Sequence, residues 1–195
     1  SLVSGVLTTT FTSSQGLLLM IPNMYKIAGE MMPLVMHVAA RSIATHALSI
    51  FGDHQDIYST RSTGFAMLAS SNTQDANYLS AVSHLSAIKS SIPFMHFFDG
   101  FRTSHELNKI KEIDFEKLKK LIPKDKITEF KNKALNPSNI ITRGTAQNED
   151  IYFQSVEARN TTYNEMPAIV NEYMEQINAL ANTNYKPFNY YGAPD

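Results

Sequence analysis

Short apolar runs alternate with stretches of helical spacing through the first hundred residues. "VLTTTFT" is β-branched and predicts a strand over Val6–Thr12. "SSQG" follows as a turn, with Ser13 or Ser14 placed to cap the helix "GLLLMIPNMYKIAGEMM", which Pro22 should kink or delay. "PLVMHVAA" is continuously apolar, the mark of a strand buried on both faces, and predicts Leu34–Ala39. "GDHQDIYSTRST" carries Asp53 where it would cap a short helix. "GFAMLAS" predicts a third strand, Gly64–Ala69, and "IPFMHFFDG" a fourth, Pro93–Phe98. Between those two, "NTQDANYLSAVSHLSAIKSS" puts Leu79, Val82, Leu85, Ala81 and Ile88 on one side of a helix.

Strands alternating with helices at these intervals predict an α/β fold, a doubly wound, mostly parallel sheet with helices on both faces. The second half reads differently. An amphipathic helical pattern runs from Glu106 to Lys133, interrupted at Pro123. "NPSNIITRGTAQNEDIYFQ" lacks periodicity and reads as a long irregular connection. "NEMPAIVNEYMEQINALANTN" predicts a last helix with Ile169, Tyr173, Ile177 and Leu180 on its apolar stripe. "YKPFNYYGAP" is rich in turn residues and aromatics and reads as a linker, which sets domain bounds of 1–185 and 186–195.

The 195 residues suffice for one domain with a proper core. A net charge of −1 gives no electrostatic reason to expect nucleic acid or a membrane surface as partner. No apolar run approaches the roughly 20 residues of a membrane span. With no cysteine, the chain has no disulfide, thiolate nucleophile or cysteine-bound metal cluster of its own, and no metal site is expected.

Charge changes the picture more. The first hundred residues hold only Lys26, Arg41, Arg61 and Lys89 as cations and Glu30, Asp53, Asp56, Asp75 and Asp99 as anions. In a parallel α/β sheet ligands bind at the carboxyl ends of the strands. Those ends are Thr12 to Gln15, Arg41 with Ser42, Ser70 to Asn72 and Asp99 to Thr103. Arg41 closes the apolar run "PLVMHVAA" there, either as a surface charge or as a fork that holds an anion. Asp53, His54, Gln55 and Asp56 are adjacent rather than convergent, which favours capping a helix and holding the pocket wall or a domain contact over catalysis. Ser13 to Gly16 lack phosphate-loop glycine spacing and read as cap and lining. Ser104 beside His105 is not a triad by adjacency, so Asp99, Arg102, Ser104, His105 and Glu106 read as a structural turn or an interdomain contact. His37, His46, His84 and His96 lie in apolar runs and read as core or interface residues, and the methionines as packing material.

"TTTFTSSQGLLLMIPNMYKIAGEMMPLVMHVAARSIATHALSIFGDHQDIYSTRSTGFAML", joined by "PFMHFFDGFRTSHE", resembles the first domain of the pyruvate:ferredoxin (or flavodoxin) oxidoreductase family. The resemblance extends to "YYGAPD" and is weakest from Asp114 to Tyr163. It implies the thiamine-diphosphate-binding fold, embracing the aminopyrimidine end of the cofactor while a later domain holds the diphosphate and Mg2+. The whole enzyme would cleave pyruvate with coenzyme A to acetyl-CoA and CO2. Its electrons would pass through [4Fe-4S] clusters elsewhere in the parent chain to ferredoxin or flavodoxin. The resemblance also implies a homo-oligomer, in the cytoplasm or an anaerobic organelle.

Three residues of the family's first domain do site chemistry: a threonine in a Tyr-Pro-Ile-Thr-Pro motif, a glutamate before a small-residue helix, and an arginine in His-Val-x-Ala-Arg that binds the substrate carboxylate. Only the third is matched here, by Arg41 in "HVAAR". "SLVSG" matches the end of the small-residue helix, so the chain is expected to be truncated at its N-terminus, to lack the glutamate and to be inactive alone. Phe11 is the candidate for packing near the pyrimidine. The alternative is a non-catalytic domain kept for interdomain or subunit assembly.

Overall fold

The computed structural model describes residues 1–138 and 140–193. Four strands form one parallel sheet: β1 (Thr8–Thr12), β2 (Leu34–Ala40), β3 (Ala66–Ser70) and β4 (Phe94–Asp99), in the order β1-β2-β4-β3. The parallel sheet and its four strands match the sequence pattern. The first strand is shorter than expected because Val6 N–H bonds back to Ser1 O, so pairing starts only at Thr8 opposite Leu34.

Helices cover both faces. On one side α1 (Gln15–Leu19), α2 (Ile21–Gly29) and α3 (Gln55–Thr60) pack Leu17, Met24, Ala28 and Ile57 on Met36, Val38, Ala40 and Met95. Pro22, at the start of α2, is where the helix predicted from Gly16 divides. On the other side α4 (Thr73–Ser90) lies on Val35, Leu68 and Phe94, and α9 (Asn160–Ala181) lies on α4. The predicted α4 stripe is buried at Leu79, Val82 and Leu85, and that of α9 at Tyr173 and Ile177. Between them come the short α5 (Arg102–His105), α6 (Phe115–Leu118), α7 (Lys124–Asn132) and α8 (Glu149–Glu157).

Four expectations are corrected. Residues 106–114 are not helical. Gln74 binds both main-chain groups of Lys111, at 2.7 and 3.0 Å, and Ile113 inserts into the core, which holds the segment as a strap. The "irregular" stretch contains α8, which buries no side chain and so leaves no periodic stripe to read. Ser14 precedes α1 but gives it no side-chain cap; its φ is 49° and its hydroxyl donates to Ser42 O at 2.8 Å. His46 is exposed, which removes the core half of the core-or-interface expectation for it.

His37 and His96 are buried, as expected, and they are joined. The register aligns Phe11, His37, His96 and Leu68 across the sheet. Ring nitrogens of His37 and His96 lie 2.9 Å apart, His37 and His84 nitrogens 3.2 Å, and Ser70 Oγ is 2.6 Å from His96. A neutral imidazole has one donor and one acceptor, so the chain Ser70–His96–His37–His84 is satisfied when every ring is neutral. Burial pushes His96 down to about 3 and His37 to about 4, with neighbouring histidines adding to both, and burial also lowers His84.

Candidate functional site

The carboxyl ends of β1, β2 and β4 are tied together by polar contacts that centre on Arg41 and Asp56. Arg41 follows the last residue of β2. Its main chain forms a bridge with Gly52, and its Nε donates to Gly100 O at 2.8 Å. Gly100 has no room for a Cβ, which would stand 2.3 Å from Ala40 O and 2.4 Å from Arg41 Cγ. The arginine stem therefore lies on bare backbone, with one edge of the guanidinium fixed. Among the described residues no carboxylate forms an ion pair with Arg41.

The sequence segment "GDHQD" builds the wall beneath. Asp53 accepts from Gln55 N at 3.1 Å and from Ser42 Oγ at 3.2 Å, so it does cap α3, from one residue before the cap position that His54 occupies. Asp56 is fully buried and accepts the N–H groups of Ser14, Arg41 and Ile57. Gln55 Oε1 accepts from Ile43 N at 2.9 Å. Asp99 Oδ1 accepts from Phe101 N and Arg102 N, at 2.9 and 2.5 Å. Burial raises the Asp99 carboxyl, but the N–H groups of Phe101, Arg102 and Thr103 and the charge of Arg102 outweigh it and hold it below its ordinary value. Ser104 donates to Gly100 O at 2.7 Å and pairs with His105, in keeping with a structural turn.

An open cleft of about 890 Å³ adjoins these ends, lined by Ile43, Thr45, Asp53, His54, Gln55, Tyr58 and Asp99. Arg41 does not line it; the Gly52 that bridges Arg41 does. Phe11 is the penultimate residue of β1, 75% exposed, with its ring stacked on His37 at 5.0 Å. The sequence reading brought Arg41 and Asp99 to one place correctly. Gly52 and the link from Ser14 to Ser42 lie beyond it, and their only sequence signal is small residues beside strand ends. Among the described residues no cluster of three His, Asp or Glu has the geometry of a metal site.

Residues 1–175 match the family profile of the thiamine diphosphate-binding domain of pyruvate flavodoxin/ferredoxin oxidoreductase. The chain belongs to that family. It is 58% identical over all 195 residues to the pyruvate:ferredoxin oxidoreductase of Moorella thermoacetica, and 57% identical to the pyruvate-flavodoxin oxidoreductase of Klebsiella pneumoniae. It is 53% identical to the mitochondrial pyruvate dehydrogenase [NADP(+)] of Euglena gracilis. The chain spans 17% of each of the first two proteins and 11% of the third. The family match extends through the stretch 114–163 that resembled it least. No helix among the described residues is long and apolar enough to cross a membrane.

Proposed function

We propose that this chain forms the substrate-carboxylate and pyrimidine side of the active site in a pyruvate oxidoreductase. The observation that carries the reading is Arg41. It stands at the carboxyl end of a buried strand, its stem is seated on Gly100, and among the described residues it forms no ion pair with a carboxylate. A planar guanidinium presents paired donors that match the two oxygens of a 2-oxo acid carboxylate. Among the described residues the cleft lining holds two carboxylates, Asp53 and Asp99, and no lysine or arginine, so it does not suit a diphosphate. Its hydrogen-bonding and apolar groups fit a neutral aminopyrimidine. Bound thiamine diphosphate would supply the carbon nucleophile that pyruvate decarboxylation requires. Phe11, exposed close to the end of β1, does not line this cleft; its ring is proposed to pack near the pyrimidine from outside it.

The diphosphate and its Mg2+ are assigned to another domain, and the iron–sulfur clusters to other parts of the parent, because this chain has no cysteine. The names of the relatives support pyruvate as substrate and ferredoxin or flavodoxin as acceptor. Residues 186–195 are assigned as the connection to the next domain; Phe188, Tyr190 and Tyr191 within it are exposed.

Kinetics on the full-length enzyme test this. Arg41→Lys keeps the charge but loses the fork, and Arg41→Ala loses both. Loss of such a shielded pair costs about 2–5 kcal/mol, or roughly 30- to several-thousand-fold in kcat/KM for pyruvate. Thiamine diphosphate affinity should be unchanged in these variants and reduced in Phe11→Ala. Wild-type kcat/KM in both Arg41 variants would make Arg41 a strand-end charge and leave assembly as the role of the domain.

A further inference from the structure

Asp56 is a carboxylate with no exposed surface and no cation among its partners. Among the described residues its hydrogen-bond partners are all main-chain N–H groups. Oδ2 accepts from Ser14 N at 2.8 Å and from Arg41 N at 3.1 Å, while Oδ1 accepts from Ile57 N at 2.8 Å. Ser14 follows β1, Arg41 follows β2, and Asp56 itself lies in α3. One oxygen thus joins two strand ends that are 27 residues apart in the chain. A buried acid needs its desolvation offset by such donors, and these donors place it at the residue that carries the guanidinium.

The rest of the local geometry explains why a clamp is needed. Ser14 has φ 49°, a left-handed backbone that side-chain-bearing residues adopt only when the surroundings hold them. Its hydroxyl also donates to Ser42 O, directly after Arg41. The loop from Ser42 onward leaves the sheet, so the Arg41 main chain is held by the Gly52 bridge on one side and Asp56 on the other. We infer that Asp56 is a positioning residue: it fixes the Arg41 backbone, and through it the guanidinium, at the angle that receives the substrate carboxylate. This rests on the assignment of Arg41 above.

The test is Asp56→Asn in the full-length enzyme, alone and with Arg41→Lys. Asparagine keeps the shape but leaves an amide donor facing an N–H, either at Ile57 or at Ser14 and Arg41. A displacement of the fork by about 1 Å should lower kcat/KM for pyruvate roughly 100-fold, with thiamine diphosphate affinity retained. In the Arg41→Lys background the same change should cost less than about threefold, because residues acting through one group are not additive. Full additivity would overturn the inference, as would an unimpaired Asp56→Asn beside an impaired Arg41→Lys. An unimpaired Arg41→Lys would overturn the Arg41 assignment itself and this inference with it. Asp56→Ser, smaller and with a rotatable hydroxyl, is the second variant. If neither variant folds, Asp56 belongs to the fold alone and the inference fails.

Discussion

Asp56 and the histidine chain are both polar, both buried, and lie against opposite faces of the same sheet. They are built on opposite terms. Asp56 takes donors from the main chain alone, at strand ends, and its only role there is acceptor. His37, His84 and His96 take their partners from each other and from Ser70, between the sheet and α4, and every link joins groups that can give or take a proton. Main-chain donors are placed by the sheet and helix they belong to, so the first arrangement fixes position. The second stays satisfied only while its rings are neutral. Fixed geometry therefore lies where the strands end and the site begins, and proton sensitivity lies between the sheet and α4.

The largest expected effect tests the fixed end. In Gly100→Ala the new methyl meets Ala40 O at 2.3 Å and Ala39 O at 2.9 Å, both main chain, as well as Arg41 Cγ. Backbone cannot rotate away, and Gly100 N also donates to Ala40 O. The cost should be about 3 kcal/mol in denaturant unfolding. Gly52→Ala meets the Asp99 carboxylate instead, at 1.8 Å, a side chain that can swing aside by giving up Phe101 and Arg102. It should cost less, about 1–2 kcal/mol. Equal costs would mean that the β4 turn is as pliable as a side chain, and the picture of a rigid strand-end frame would not stand.

How much of this was readable beforehand follows the same division. "LVMHVAA" and "FMHFFD" announced strands because burial on both faces leaves an unbroken apolar run. Arg41 stood out because its segment has few charges. Asp56 did not, since its meaning depends on Ser14 and Arg41, brought to it only by the fold. The histidines were read one by one as core residues, which holds for His37 and His96 but cannot show that they touch across β2 and β4. The helical pattern expected from Glu106 starts only at α6 because Asp114 caps α6, accepting from Glu116 and Lys117, while Gln74 pins the strap before it; beyond that, α6 and α7 lie on either side of Pro123 as expected. Neither contact leaves a periodic trace.

The next effect tests the proton-sensitive part. His96→Leu leaves Ser70 Oγ and a His37 nitrogen without partners, at about 1–3 kcal/mol. The pH dependence is more diagnostic. His37 and His96 are held down at about 4 and about 3, from an ordinary 6.5. Below pH 6.5 the unfolded chain binds protons that the folded chain refuses, so acid favours unfolding. The stability is therefore full above pH 6.5 and declines as pH falls, until His37 protonates near 4 and His96 near 3. Each ring adds at most about 1.4 kcal/mol per pH unit. Amide protection in β2 and β4, relative to the intrinsic exchange rate at each pH, should fall across that window, and His96→Leu should flatten the slope by close to one proton. An unchanged slope would mean that His96 is not a member of a titrating chain.

The smallest effect comes from a polar cluster outside both centres. On α7 the Glu129 carboxylate bonds Lys126 at 2.8 Å and Lys133 at 2.6 Å. The Lys126 hydrogen bond and then that of Lys133 hold its carboxyl at about 2. By that measure Glu129 is as strongly perturbed as the histidines. Its side chain, however, is 45% exposed, and water and salt screen what burial would preserve. The lowered carboxyl favours folding above its ordinary pKa and loses that contribution as pH falls toward 2. Glu129→Gln should therefore shift unfolding at neutral pH by no more than about 0.5 kcal/mol, and the shift should vanish in about 1 M salt. A salt-resistant loss of about 2 kcal/mol would show that proximity of charges alone carries the energy. The contrast between Asp56 and the histidines would then lose its basis, because burial is what makes their partners matter.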